Sequence, residues 1–117
     1  MAGSMYRVEN QGNITIVILT LEGFTHEDND ELMKAFDELL AKGSKKMVLD
    51  LSETRYVSSL ILASLVYMQK KVQDVGGQLI FCSIPERVKE IMSVTNLDKI
   101  FNITEDRAQA LEAVVKK

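Results

Sequence analysis

The stretch that most narrows the possible folds runs from Met47 to Cys82. Two apolar runs, Met47-Val48-Leu49-Asp50-Leu51 and Gln78-Leu79-Ile80-Phe81-Cys82, flank a helical segment that starts at Ser58 or Ser59 and ends at Val75. Gly76-Gly77 separates that helix from the second run and supplies the break. Strand, helix and strand in this order predict a βαβ unit with parallel strands and a right-handed crossover. The first strand therefore delivers two adjacent serines to the start of a helix.

The flanking segments extend this unit. Tyr6–Glu9 and Asn13–Leu21 read as strands joined through Asn10-Gln11-Gly12, the kind of turn that closes a hairpin. Ile14, Ile16 and Ile18 alternate with Thr15, Val17 and Leu19, apolar on both sides, which predicts an interior strand covered on both faces and ended by Gly23. Asp28 and Glu31 have capping-box spacing at the start of a helix that runs to Lys42, with Leu32, Phe36, Leu39 and Leu40 at helical intervals. Gly43 supplies its left-handed stop. Ser83-Ile84-Pro85-Glu86 predicts the start of a third helix over 85–95, with Ser83 as the cap. Ile100-Phe101 is expected as a short edge strand. Thr104-Glu105-Asp106 then opens a last helix, with acids at its positive end and Lys116-Lys117 at its negative end.

Composition confines these elements to one domain, because 117 residues with 46% hydrophobic content support a single sizeable core. The 14 basic and 17 acidic residues give a net charge of −3 without long blocks of either sign, so no electrostatic footprint for nucleic acid or anionic lipid exists. Cys82 is the only cysteine, which rules out an internal disulfide and fits a reducing cytoplasm. No apolar run approaches membrane-spanning length, and Met1-Ala2-Gly3-Ser4-Met5 lacks the apolar core of a signal peptide. Residues 1–4 read as an expression scar, with the domain over 5–117.

At about 100° per residue, Ile61, Leu65, Met68 and Val72 form one stripe of the helix after Ser58 and face the sheet. Leu60, Ala63, Ser64 and Tyr67 fall on the opposite side, while Lys70, Lys71 and Asp74 bring charge only to its second half. The first two turns beside the serines thus present apolar surface, either to a partner or to a covering helix or second copy of the chain. Ser58 or Ser59 is an N-cap by residue type alone, a role worth on the order of 1 kcal/mol. A phosphate on either would add a dianion where unpaired backbone N–H groups favour negative charge.

The chain resembles the STAS family, the domain of bacterial anti-sigma-factor antagonists and of the cytosolic ends of sulfate transporters. The resemblance lies in Met47-Val48-Leu49-Asp50-Leu51-Ser52, Tyr56-Val57-Ser58-Ser59-Leu60, Gly76-Gly77-Gln78-Leu79-Ile80-Phe81-Cys82, Val88-Lys89-Glu90-Ile91-Met92 and Leu97-Asp98-Lys99-Ile100-Phe101, in the same order from Met5 onward. It implies an α/β fold: a STAS-like single domain, a mixed, mostly parallel β-sheet packed against about four α-helices, with an N-terminal β-hairpin. It also implies a non-enzymatic transcription regulator that binds an anti-sigma factor, itself a serine kinase, and is switched off by phosphorylation. The antagonist family frames its serine pair as Asp-Ser-Ser-Gly and phosphorylates the first serine; carried across, the acceptor is Ser58, with Ser59 as alternative. Here Val57 takes the aspartate position and Leu60 the glycine position. Partner contact is expected at Ser58, Ser59, Leu60, Ala63, Ser64 and Tyr67, by a monomer or weak homodimer without cofactor or metal.

The rival within the fold is a divergent STAS module that is never phosphorylated and serves constitutive interaction or small-ligand binding. A small serine hydrolase using Ser58 is the rival of another class, but no Gly-x-Ser-x-Gly elbow frames that residue. His26, the only histidine, sits among Glu27, Asp28 and Asp30, where solvation or capping outweighs metal ligation. Gly43-Ser44-Lys45 lacks the spacing of a phosphate-binding loop. Asp50 and Glu53 could attract a metal, although a strand-end aspartate more often accepts from backbone N–H groups.

Overall fold

The structure is a computed structural model, and it describes residues 5–21, 24–55 and 57–116. The elements are β1 (Tyr6–Gln11), β2 (Ile14–Leu19), α1 (His26–Ala41), β3 (Lys46–Asp50), α2 (Ser59–Asp74) and β4 (Gln78–Cys82), followed by α3 (Glu86–Val94), a 3-10 turn (Leu97–Lys99), β5 (Asn102–Ile103) and α4 (Arg107–Lys116). The sheet has the order β1-β2-β3-β4-β5. β1 is antiparallel to β2, and every other neighbouring pair is parallel. The expected mixed, mostly parallel sheet with an N-terminal hairpin and four helices is therefore the observed fold.

Period-two alternation divides the buried residues between the two faces of this sheet. Val17, Leu19, Met47, Leu49, Leu79 and Phe81 face α1, α2 and α3, where they meet Phe36, Leu65 and Met92. Ile14, Ile16, Ile18, Val48, Ile80 and Cys82 face the other way, onto Ala110 and Val114 of α4. Strands covered on both faces are apolar throughout, which is why β2 shows no polar side. Thr15 is the polar exception in β2, and its hydroxyl bonds Ser44 at 3.1 Å.

Several local signals resolve differently from the sequence expectation. β1 continues through Gln11, so the turn is the two-residue Gly12-Asn13, with Gly12 at φ +63° as a tight hairpin requires. β2 stops at Leu19; the stop expected at Gly23 lies outside the described residues. α1 begins one turn earlier than the Asp28/Glu31 spacing suggested, because Thr25 is the N-cap. Its hydroxyl accepts from the Asp28 amide (3.1 Å), and the Asp28 carboxylate accepts from the Thr25 amide (3.0 Å). Ser83 does not cap α3: it adopts φ +56°, and Pro85 occupies the N-cap without a side-chain bond. Ile100-Phe101 is not a strand, since the 3-10 turn carries the chain past it and Phe101 instead stacks on Phe81 with ring centres 4.3 Å apart. The edge strand forms two residues later.

A candidate partner-binding surface at the start of α2

Chain direction brings the ends of β3 and β4 and the start of α2 to one edge of the sheet. The loop leaving β3 is held there by short bonds: the Leu51 amide donates to the Cys82 carbonyl (3.0 Å), and the buried Thr54 hydroxyl donates to the Leu19 carbonyl (2.8 Å). Val57 packs against the main core, and Tyr56 lies outside the described residues. Ser58 follows in extended geometry (φ −115°, ψ 173°) as the N-cap of α2. Its Oγ accepts from the Ile61 amide at 3.2 Å, while its carbonyl accepts from the Leu62 amide at 3.0 Å. Ser58 and Ser59 are both exposed.

The helix phase expected from the sequence is observed on the sheet side, where Ile61, Leu65, Met68 and Val72 are at most 2% exposed. Across the helix, Leu60 is half-buried, Ala63 exposed and Tyr67 39% exposed. Ser64 departs from the expected surface position. It is 5% exposed because α1 lies beside it, and its hydroxyl donates to the Leu60 carbonyl at 2.9 Å and pairs with the Asn29 side chain. The covering helix that the sequence left open is thus α1, and its cover is incomplete. An open cavity of about 380 Å³ remains between the two helices, lined by Asn29, Met33, Leu60, Ala63, Ser64 and Tyr67. At its rim the Tyr67 hydroxyl lies 3.4 Å from Asp37 Oδ2, and Lys71 Nζ lies 5.7 Å from the tyrosine ring centre.

Beneath the loop sits an ion-pair chain that sequence reading did not find. Arg107, the first residue of α4, donates from Nε (3.1 Å) and Nη2 (2.9 Å) to Asp50 Oδ2, and from Nη1 (3.0 Å) to Glu9 Oε1. Asp50 Oδ1 accepts from the Ser52 amide at 2.9 Å. Burial works against the Asp50 charge, but the bonds from Ser52 and Arg107 outweigh it and hold its pKa below the ordinary aspartate value. Glu53 is held by Arg7 through two bonds (2.9 and 3.0 Å) and by Thr20 at 3.3 Å. Neither carboxylate is poised for a metal, and among the described residues no three His, Cys, Asp or Glu converge as a ligand set.

The remaining reactive groups are placed as follows. Burial pushes the Cys82 thiol up to about 11, so it is not a nucleophile at neutral pH. His26 is exposed at the start of α1. Among the described residues, the one hydrogen bond of the Ser58 hydroxyl is that from the Ile61 amide. No helix among those residues is long and apolar enough to cross a membrane.

The site is thus an exposed serine at the head of a helix, beside an incompletely covered apolar face, in an α/β domain with a mostly parallel sheet. The chain belongs to the STAS domain family, whose family model matches residues 5–110. It is 39% identical over 101 residues to a Thermotoga neapolitana protein named "Putative anti-sigma factor antagonist TM1081 homolog", covering 85% of this chain and 89% of that one. A Thermotoga maritima protein named "Putative anti-sigma factor antagonist" is 35% identical over 104 residues, covering 87% and 92%. The crystal structure of a Thermotoga maritima protein of the same description superposes with a TM-score of 0.84 at 30% identity over 97% of both chains.

Proposed function

We propose that this chain is an anti-sigma-factor antagonist acting in the cytoplasm: it binds an anti-sigma factor through Ser58, Ser59 and the first turns of α2, and phosphorylation of Ser58 ends that binding. The observation that carries the reading is Ser58 itself, an exposed hydroxyl at the N-cap of α2 beside the apolar cavity between α1 and α2. In the unphosphorylated state the anti-sigma factor covers Leu60, Ala63 and Tyr67 and so gives up its sigma factor. The protein works by occupancy and performs no catalysis of its own.

The partner, acting as a serine kinase, transfers the γ-phosphoryl group of ATP to Ser58 Oγ; the hydroxyl proton leaves and ADP is released. The helix N-terminus tolerates the resulting charge of about −1.5 to −2, so the fold persists. The interface does not, because a surface matched to a neutral serine and Leu60 must bury that charge without a cation. Ser58→Asp is expected to fold normally and bind the anti-sigma factor weakly, whereas Ser58→Ala binds. Incubation with the kinase and ATP, read by mass spectrometry, decides the switch: phosphate on Ser58 or Ser59 supports it, and none on either residue eliminates it. In that second outcome the chain is a constitutive interaction or small-ligand module, a reading favoured by the bulk of Leu60 next to the acceptor.

A further inference from the structure

β1 is an edge strand of the sheet, and its sequence is complementary to itself. We infer that this chain forms a homodimer by antiparallel pairing of β1 with the β1 of a second copy, centred on Val8, giving one continuous sheet across the two copies.

The backbone supplies the first half of the case. The Thr20 amide donates to the Met5 carbonyl at 2.9 Å, and the hairpin turn is two residues long. In an antiparallel ladder the bonded positions alternate. Met5, Arg7, Glu9 and Gln11 therefore direct their backbone groups to β2, while Tyr6, Val8 and Asn10 direct theirs to the open edge. Arg7 to Gln11 are all exposed, and the strand holds no proline to block pairing.

Charge then selects the register. Placing Val8 opposite Val8 of the second copy sets Tyr6 opposite Asn10 and Arg7 opposite Glu9, so opposite charges meet twice. A slide that puts Tyr6 opposite Val8 brings Arg7 against Arg7, and the reverse slide brings Glu9 against Glu9. Only the Val8-centred register joins unlike charges.

The side-chain pattern agrees with that register. Arg7 spends Nη1 and Nη2 on Glu53, and Glu9 accepts from Arg107 through Oε1 alone. Arg7 Nε–H and Glu9 Oε2 have no bonds among the described residues. In the dimer they complete an alternating row, Asp50, Arg107 and Glu9 of one copy followed by Arg7 and Glu53 of the other. On the opposite face Val8, 38% exposed beside Val17, meets its own copy. Solvated pairs of this kind contribute little attraction, so backbone bonds supply the affinity and charge supplies the alignment. A single strand edge is small, which makes the dimer concentration-dependent.

Sedimentation from micromolar to millimolar chain concentration tests the dimer directly. The unaltered protein is expected to show a reversible monomer–dimer equilibrium. Val8→Pro removes an N–H that β2 does not use, so it is expected to fold and to raise the dissociation constant at least about tenfold. Arg7→Glu alone and Glu9→Arg alone are each expected to dimerise more weakly than the unaltered protein, and their equimolar mixture to recover the affinity. Under mild oxidation Val8→Cys is expected to cross-link, whereas Arg7→Cys and Glu9→Cys are not. A monomer throughout the concentration range, no recovery in the charge-swapped mixture, or cross-linking at position 7 or 9 in place of 8 would overturn the inference, even if Val8→Pro failed to fold.

Discussion

The two sides of α2 are built to opposite specifications. Toward the sheet, Ile61, Leu65, Met68 and Val72 are sealed by strands β2 to β4 and carry none of the chain's candidate chemistry. Away from it, Leu60, Ala63 and Tyr67 border a cavity that α1 only partly closes, and the same helix begins with an exposed hydroxyl. Packing and exposure are thus separated within one helix. The inner stripe fixes where the helix lies; the outer side is free to be shaped by what it meets. The loop before it is anchored at its start through Asp50 and Arg107, and further on by Glu53 to Arg7 and by Thr54 to the Leu19 carbonyl.

If the separation holds, substitutions should fall into an ordered series. Leu65→Ala, on the sealed side, is expected to cost about 2–5 kcal/mol in denaturant unfolding; a change within scatter would place Leu65 outside the core and break the division. Arg107→Ala is expected to cost about 1–3 kcal/mol by stranding the Asp50 carboxylate in its buried position. That loss should depend on pH with a definite sign. Because the folded-state pKa of Asp50 is lowered, its contribution is complete above the unfolded value of 3.8 and is lost as pH falls through the folded value. The gap between Arg107→Ala and the unaltered protein should therefore be widest near neutrality and close in acid, as unfolding titrations at several pH values would show.

Two further substitutions probe the outer side. Ser58→Ala removes the cap to the Ile61 amide and is expected to cost about 1 kcal/mol in thermal unfolding, with partner binding retained. Tyr67→Ser adds no charge beside Asp37 and is expected to change stability by less than about 0.5 kcal/mol. Calorimetric titration of the anti-sigma factor should nevertheless weaken at least about tenfold, as for an aromatic anchor. A large stability loss with unchanged binding would show that Tyr67 belongs to the packed interior.

Much of this division was legible in the sequence, because periodicity is a local signal. The helical interval of Ile61, Leu65, Met68 and Val72 placed the inner stripe, and the alternation of Ile14, Ile16 and Ile18 with Thr15, Val17 and Leu19 announced a strand covered on both faces. Burial of Ser64 was not legible, since it depends on Asn29 reaching it from α1, and no spacing along α2 records that approach. Arg107 was hidden for a similar reason. It stands 57 residues from Asp50 in sequence, so only the return of α4 across the sheet makes them neighbours. The start of α1 differs from the expectation because Thr25/Asp28 and Asp28/Glu31 share one spacing, and it is the first pair that makes the reciprocal bonds. Ile100 and Phe101 have strand composition, but stacking of Phe101 on Phe81 turned the pair to another use.

Gly77 also sets a datum for measuring position. A Cβ there would lie 2.7 Å from the Lys45 carbonyl oxygen, which instead accepts the Gln78 amide at 2.7 Å. The far end of α2 is thereby pinned against the beginning of β3, at the edge of the sheet opposite the serines. From that fixed point the 16 residues of α2 act as a ruler about 24 Å long, whose free tip is Ser58. One residue added to the ruler would advance the tip by about 1.5 Å and swing it by about 100°. The position of the serine is thus written in a count of residues, with a missing methyl group at the other end as its zero mark.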